Sequence, residues 1–206
     1  MDWPLFAGLP AADVDAVLRA TTRRSFGKGE IVFHRGDPGD SLHLVVRGRF
    51  AVRVMTPVGD VATLGIRGPG ESFGEMALVD PAAHRSATVQ ALEAGETRAL
   101  AYSQLEQLRP AVDRMLVALL AEEVRRNGDL LLDALYVPAE RRVLRRLLEL
   151  GDDVSLTQEE LAQLAGTSRA TVNRVLRDEE KRGTLELKRG GVTIRDSEPI
   201  RRRART

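Results

Sequence analysis

The 206-residue chain contains no cysteine. That excludes disulfides, thiolate zinc sites and cysteine-ligated iron–sulfur clusters, and it is compatible with a reducing cytoplasm. It has only three histidines, at 34, 43 and 84. No two of them have metal-ligand spacing and no acidic cluster accompanies them, so each reads as a surface or turn residue. Long apolar runs are missing too. The longest, Met115 to Ala121, is far too short to cross a bilayer. The opening Met1-Asp2-Trp3-Pro4 lacks the basic and apolar regions of a signal peptide, so the expected compartment is the cytoplasm and no membrane partner is expected. No arrangement of nucleophile, base and oxyanion donors is visible, so no enzyme activity is expected.

What is present is 43% hydrophobic residues, enough for a real core, in a length that suits two small domains. The net charge of +1 hides an asymmetry. Residues 1–137 carry 15 Lys and Arg against 18 Asp and Glu, whereas residues 138–206 carry 16 against 12. A basic C-terminal part suggests that this part meets a polyanion.

The periodicity changes twice. Asp13 to Ala20 reads as a short amphipathic helix with Val14, Val17 and Leu18 inward. From Glu30 to Tyr102, short apolar strands such as Leu42–Val46 and Phe50–Val54 alternate with glycine turns, the pattern of a small antiparallel barrel or jelly roll. Ser103 is placed to cap a short helix, and Pro110 to start a long one reaching about Leu135. Along that helix Val117, Leu120, Val124, Asn127, Leu131 and Ala134 form a seam spaced alternately three and four, the repeat of a paired helix in a dimer. The seam also fits packing on the barrel. Val137-Pro138 ends the helix, because the residue before proline is pushed out of the helical region.

Two stretches carry chemistry. The first is Phe73-Gly74-Glu75-Met76-Ala77-Leu78, followed by Arg85-Ser86-Ala87-Thr88-Val89. Phe73, Met76, Ala77 and Leu78 can pin a short turn, and Gly74 lets the backbone approach a ligand. Arg85 supplies a planar fork of donors matched to two phosphate oxygens, Ser86 a hydroxyl, and Glu75 an acceptor for a sugar hydroxyl. Together they describe a ribose-phosphate site. The second stretch runs from Thr157 to Leu176. Thr157 and Glu160 form a capping box, Gly166 permits a left-handed turn, and Ser168 caps a second helix that buries Val172, Val175 and Leu176. Arg169, Thr171, Asn173 and Arg174, with Thr157, Gln158 and Ser168, are then the candidate DNA contacts. Before this stretch, Ala139 to Leu150 reads as a helix with an arginine-rich outer face. After it, Leu185–Leu187 and Val192–Ile194 read as a hairpin wing, and Arg201 to Arg205 as a disordered tail that either brushes DNA phosphates or is solvated with no role.

The first stretch resembles the phosphate-binding cassette of cyclic-nucleotide-binding domains. The order of cassette, long helix and winged helix-turn-helix resembles that of the Crp–Fnr family of bacterial transcription regulators, over about Leu5 to Ile194. The resemblance implies an α+β chain: an N-terminal antiparallel β jelly-roll (1–109), a long dimerisation helix (110–137) and a C-terminal winged helix-turn-helix (138–206). It implies a homodimer, cAMP or cGMP as allosteric effector, double-stranded DNA carrying an inverted repeat as partner, and RNA polymerase as a possible further one. Phe73, Gly74, Glu75, Met76, Arg85 and Ser86 would line the effector site, with Arg126 and Asn127 on the long helix facing the base. A regulator of the same fold that needs no nucleotide, and a regulatory subunit that gates an enzyme, stay open. Two departures stand out. Arg125-Arg126-Asn127 occupies the place where the best-known cAMP receptor offers Thr-Ser, and Ala170 stands where the family has glutamate.

Overall fold

The computed structural model describes residues 3–76, 84–104 and 111–205. They fall into two compact units, one of Met1–Val54 with Leu64–Asn127 and one of Met55–Thr63 with Gly128–Thr206. Ala77, Leu78 and most of the short helix expected after Ser103 lie outside the described residues.

In the first unit a single 3-10 turn, Pro4–Phe6, leads into α1 (Ala11–Ala20). Among the described residues eight strands follow: β1 (Thr22–Phe26), β2 (Ile31–Phe33), β3 (Ser41–Arg47), β4 (Phe50–Met55), β5 (Val61–Arg67), β6 (Ser72–Phe73), β7 (Thr88–Ala91) and β8 (Gly95–Ala101). They form two four-stranded sheets, in the orders β1-β8-β3-β6 and β2-β7-β4-β5. All registered pairs are antiparallel, so the expected jelly-roll architecture holds. Alternation along β3 explains the layering. Val45, with Phe50, Phe73, Val89 and Ala91, fills the space between the sheets. Leu42 and Leu44 point the other way, to Trp3, Val17 and Met115. Met115 belongs to α2 (Ala111–Tyr136), which runs without interruption through Gly128.

Further along α2 the apolar seam is uncovered. Val117, Val124 and Leu131 are 69%, 72% and 60% exposed. The barrel therefore does not bury Val117 and Val124, and for that part of the seam the alternative is set aside.

The second unit contains α3 (Ala139–Leu150), β9 (Asp153–Val154), α4 (Gln158–Ala165), α5 (Arg169–Lys181), β10 (Leu185–Lys188), β11 (Gly191–Ile194) and α6 (Ser197–Arg205). The wing is a three-stranded antiparallel sheet, β10-β11-β9, rather than a bare hairpin. Gly191 is required for this: a Cβ there would stand 2.6 Å from the Val154 carbonyl oxygen on β9.

Two expectations are overturned here. Arg201 to Arg205 are not a disordered tail but the last turns of α6, which buries Ile200 and Ala204. Nor is the arginine face of α3 turned outward. Arg146 is buried against Asp133 and Glu149, and Arg145 reaches Asp133 at 2.6 Å. Arg142 donates to the carbonyls of Val137, Ala165 and Gly166, each at 2.8 Å. The last two acceptors lie at the end of α4, so the guanidinium supplies donors that a helix C-terminus needs.

Candidate effector site and nucleic-acid interface

In the first unit the site is built outward from Phe73. This ring is 2% exposed, paired across β3 with His43 and stacked on its imidazole at 5.0 Å between centroids. Anchored there, the chain turns at Gly74 with φ +96°, a conformation other residues adopt only with strain. A Cβ at Gly74 would lie 2.8 Å from Arg85 Nη1 and 2.9 Å from the Ser41 carbonyl oxygen. Glycine is thus needed for both the angle and the space.

Arg85 is 4% exposed and held through its backbone and both Nη groups. Its backbone N–H donates to Asp37 O at 2.8 Å, and its carbonyl accepts from Gly36 N–H at 2.9 Å. Nη1 donates to Ser41 O at 2.7 Å and Gly74 O at 3.3 Å; Nη2 donates to Asp40 Oδ1 at 3.0 Å and Ser41 Oγ at 3.1 Å. The guanidinium carbon stands 4.0 Å from the centre of the Phe33 ring, a cation–π contact. Among the described residues Nε is buried with no partner. The Tyr102 hydroxyl also donates to Gly74 O.

These neighbours tune one another. The Ser41 hydroxyl, and after it the Arg85 cation, hold the Asp40 carboxyl below its ordinary range. Burial, then Arg85, pushes His43 down to about 4, so this imidazole is neutral above that pH. Burial raises Tyr102 to about 12. His43 is therefore no surface residue: it is 6% exposed, with Nδ1 3.0 Å from the Thr97 hydroxyl.

The candidate site residues do not all converge. Arg85 lines a cavity of about 460 Å³ with Phe33, Asp40, Ser41 and His43. Glu75 lines another of about 340 Å³ with Arg67, Glu71, Glu123 and Arg126. Burial raises the Glu75 carboxyl above its ordinary value. Arg126 thus joins Glu75, donating to Glu71 at 2.5 Å, while Arg67 donates to Glu123 at 2.9 Å. Asn127 is exposed on α2 and lines neither cavity. Ser86 is exposed, and Met76, expected to be buried, is 46% exposed. Asp40, Ser41, Arg67 and Tyr102 escaped the sequence reading, and no local pattern marks them.

In the second unit Thr157 caps α4: its hydroxyl oxygen accepts from Glu160 N–H at 3.2 Å, and its own N–H donates to Glu160 Oε2 at 2.8 Å. Gly166 follows in the left-handed region, φ 59°, and Ser168 caps α5 by accepting from Thr171 N–H at 3.2 Å. The two hydroxyls thus serve the helix ends. Val172, Val175 and Leu176 are buried, leaving Arg169 and Arg174 exposed and Thr171 and Asn173 half-buried. Asn173 Nδ2 donates to Gln158 Oε1 at 3.0 Å, bridging the two helices. Arg174 Nη2 meets Glu140 at 2.7 Å, which holds that carboxyl below its ordinary value. Both partners are largely exposed, so the pair is worth about 0.2–1 kcal/mol and is easily exchanged for another anion.

Residues 23–110 match the cyclic nucleotide-binding domain family, and residues 141–203 the Crp-like helix-turn-helix domain family. The chain is 40% identical over 203 residues to the cyclic AMP receptor protein of Thermus thermophilus, covering 94% of this chain and 93% of that one. It is 33% identical over 215 residues to the CRP-like cAMP-activated global transcriptional regulator of Mycobacterium tuberculosis, covering 98% and 96%. Among solved structures, the catabolite activator protein of Thermus thermophilus matches at 38% identity with a TM-score of 0.57, over 98% of each chain. A Crp/Fnr-family regulator from the same organism matches with a TM-score of 0.77 over 90% of this chain and 99% of that one, at an identity of 22% that speaks for the fold alone. Such proteins are regulators and not enzymes. Two family matches and two near full-length relatives, laid on the two units described above, place this chain in the Crp–Fnr family of DNA-binding transcription regulators.

Proposed function

We propose that the chain acts in the cytoplasm as a homodimer whose grip on an inverted-repeat operator is set by a cyclic nucleotide, with cAMP as the effector. The observation that carries this reading is the state of Arg85. It is a buried guanidinium whose Nη2 meets the Asp40 and Ser41 side chains, which a ligand can replace, while Nη1 is held by the Ser41 and Gly74 carbonyls, next to a glycine turn that no side chain can enter. The Asp40 side chain is 82% exposed, so a phosphate arriving at Arg85 competes with a carboxylate that water already screens. Glu75, one residue beyond Gly74, would accept from the ribose hydroxyl, and Arg126 would face the base.

The uncovered seam of α2 supports the dimer, since three large apolar side chains spaced by seven suit a second copy of the same helix. In the helix-turn-helix, Arg169 and Arg174 would read guanine edges, Thr171 and Asn173 would flank them, and Thr157, Gln158 and Ser168 would meet the backbone. The names of the relatives support cAMP. The Glu71 and Glu123 carboxylates around the smaller cavity favour cGMP as a second reading, because guanine offers N–H donors where adenine offers a ring acceptor. Isothermal titration with cAMP, cGMP and cyclic dinucleotides tests both. Micromolar or tighter binding of cAMP alone upholds the first reading, a preference for cGMP upholds the second, and no binding of any rejects nucleotide control.

A further inference from the structure

The buried stripe of α5 contains Val172, Val175 and Leu176, and the same spacing puts Glu179 next in line, 2% exposed. A carboxylate in that place is costly unless its oxygens are satisfied. They are. Oε1 accepts from Arg203 Nε at 2.8 Å and Arg182 Nη1 at 3.1 Å. Oε2 accepts from the Thr184 hydroxyl at 2.7 Å and from Arg203 Nη2. Arg203 therefore grips the acid with two parallel donors, the arrangement with the strictest geometry.

Arg203 lies on α6, which is fixed in turn. Ile200 and Ala204 are buried, and the Ala204 carbonyl accepts from Arg145 Nε of α3 at 3.1 Å. Thr184 stands at the root of the wing, its carbonyl accepting from the N–H groups of Arg195 and Asp196 at 2.8 and 3.1 Å. One buried carboxylate thus joins the C-terminal end of α5, the wing and α6. An apolar side chain would hold α5 in place as firmly, since replacing a buried ion pair by apolar residues is often neutral for stability. It would not fix rotation or axial position as a bidentate pair does.

We infer that Glu179 and Arg203 are positioning residues for DNA reading, and that α6 is the strut through which they hold α5 in register. The inference rests on the reading of Arg169 and Arg174 as base contacts. Glu179 lies ten residues beyond Arg169, about 15 Å along the helix at 1.5 Å per residue, so a tilt of about 10° there displaces Arg169 by roughly 2.6 Å. Such a shift is nearly the length of a hydrogen bond, about 2.9 Å. Phosphate contacts tolerate it because they depend on charge more than on direction.

The test uses the full chain and the operator that the wild type selects from a random duplex pool, with selection and binding run without nucleotide, with saturating cAMP and with saturating cGMP. Dissociation constants for operator and random duplex are measured at one salt concentration for wild type, Glu179→Leu/Arg203→Leu and Arg203→Lys, beside thermal unfolding. The double variant keeps the net charge, so it should unfold cooperatively and bind random duplex as the wild type does. Its operator-over-random ratio should fall at least tenfold, and that of Arg203→Lys by a smaller factor. Simple destabilisation lowers both affinities together and leaves the ratio alone. A folded double variant with the wild-type ratio overturns the clamp. If the double variant does not fold, Arg203→Lys decides: a reduced ratio upholds the clamp and an unchanged one overturns it. A wild type that selects no sequence under any of these three conditions overturns the base-reading assignment and this inference with it, an outcome distinct from loss of the clamp alone.

Discussion

Replacing Arg85 by leucine removes the proposed phosphate partner while keeping the volume of its stem. Truncating one member of a buried charged pair costs about 2–5 kcal/mol of binding. The ligand must displace Asp40, whose carboxylate is 82% exposed and whose pair with Arg85 is worth about 0.2–1 kcal/mol, which trims the loss to roughly 1–4.8 kcal/mol. At 1.4 kcal/mol per factor of ten, cAMP affinity should fall at least about fivefold. The variant should still fold. Gly74 O keeps the Tyr102 hydroxyl, and the buried, unpartnered Nε disappears with the side chain. Ser41 O loses a donor, at a stability cost of about 1–3 kcal/mol. Isothermal titration gives the affinity, and thermal unfolding without nucleotide confirms the fold. Arg85→Lys keeps the charge without the fork and should fall between the two. A folded Arg85→Leu chain that binds cAMP with wild-type affinity refutes the reasoning.

Three further expectations follow from the same geometry. Asp40→Asn frees Arg85 from its ion pair and should tighten cAMP binding up to about fivefold by titration, the ceiling set by ~1 kcal/mol for a pair whose carboxylate is solvent-screened. Because the folded-state carboxyl lies below its ordinary value, it stabilises the fold above the unfolded-state range, and that contribution is lost as pH falls through the lowered value; the variant should show a flatter pH dependence of its melting temperature in that acid window. Leu131→Glu places a charge on the uncovered seam of α2, where the side chain is 60% exposed; sedimentation should show a shift from dimer to monomer with little change in the monomer's own stability. Arg169→Ala and Arg174→Ala should each cost ~1–3 kcal/mol on the operator and relax selectivity at one base pair, whereas equal losses on random duplex would make them phosphate contacts.

Strand, turn and cap chemistry made much of the fold legible. Thr157, Gly166 and Ser168 act locally, through bonds to residues three or four away, so their roles can be read from spacing alone. Gly74 was legible as a turn, though what makes it necessary, Arg85 and the Ser41 carbonyl, lies 11 and 33 residues away. β1 was not legible, since four of its five residues are exposed and no alternation marks it. β9 is only two residues long, and its existence depends on Gly191 far along the chain. The basic run at the C-terminus misled for a related reason: Arg203 finds its partner in Glu179, 24 residues earlier, and a charge count cannot foresee a buried acid. Within the candidate site, Arg85 was visible as a donor, but Asp40 and Ser41, its partners 45 and 44 residues earlier, were not. Sequence spacing places the groups that make a turn. It does not place the distant acceptors that hold an arginine before any ligand arrives.

The central claim is that a cyclic nucleotide controls DNA binding. The direct measurement is fluorescence anisotropy of a labelled operator duplex titrated with the wild-type chain, with and without saturating cAMP. Coupling between two sites is typically 1–3 kcal/mol, so cAMP should tighten operator binding by roughly 5- to 150-fold while leaving random duplex nearly unaffected. Operator affinity that is the same with and without cAMP, and with and without cGMP, would contradict the account.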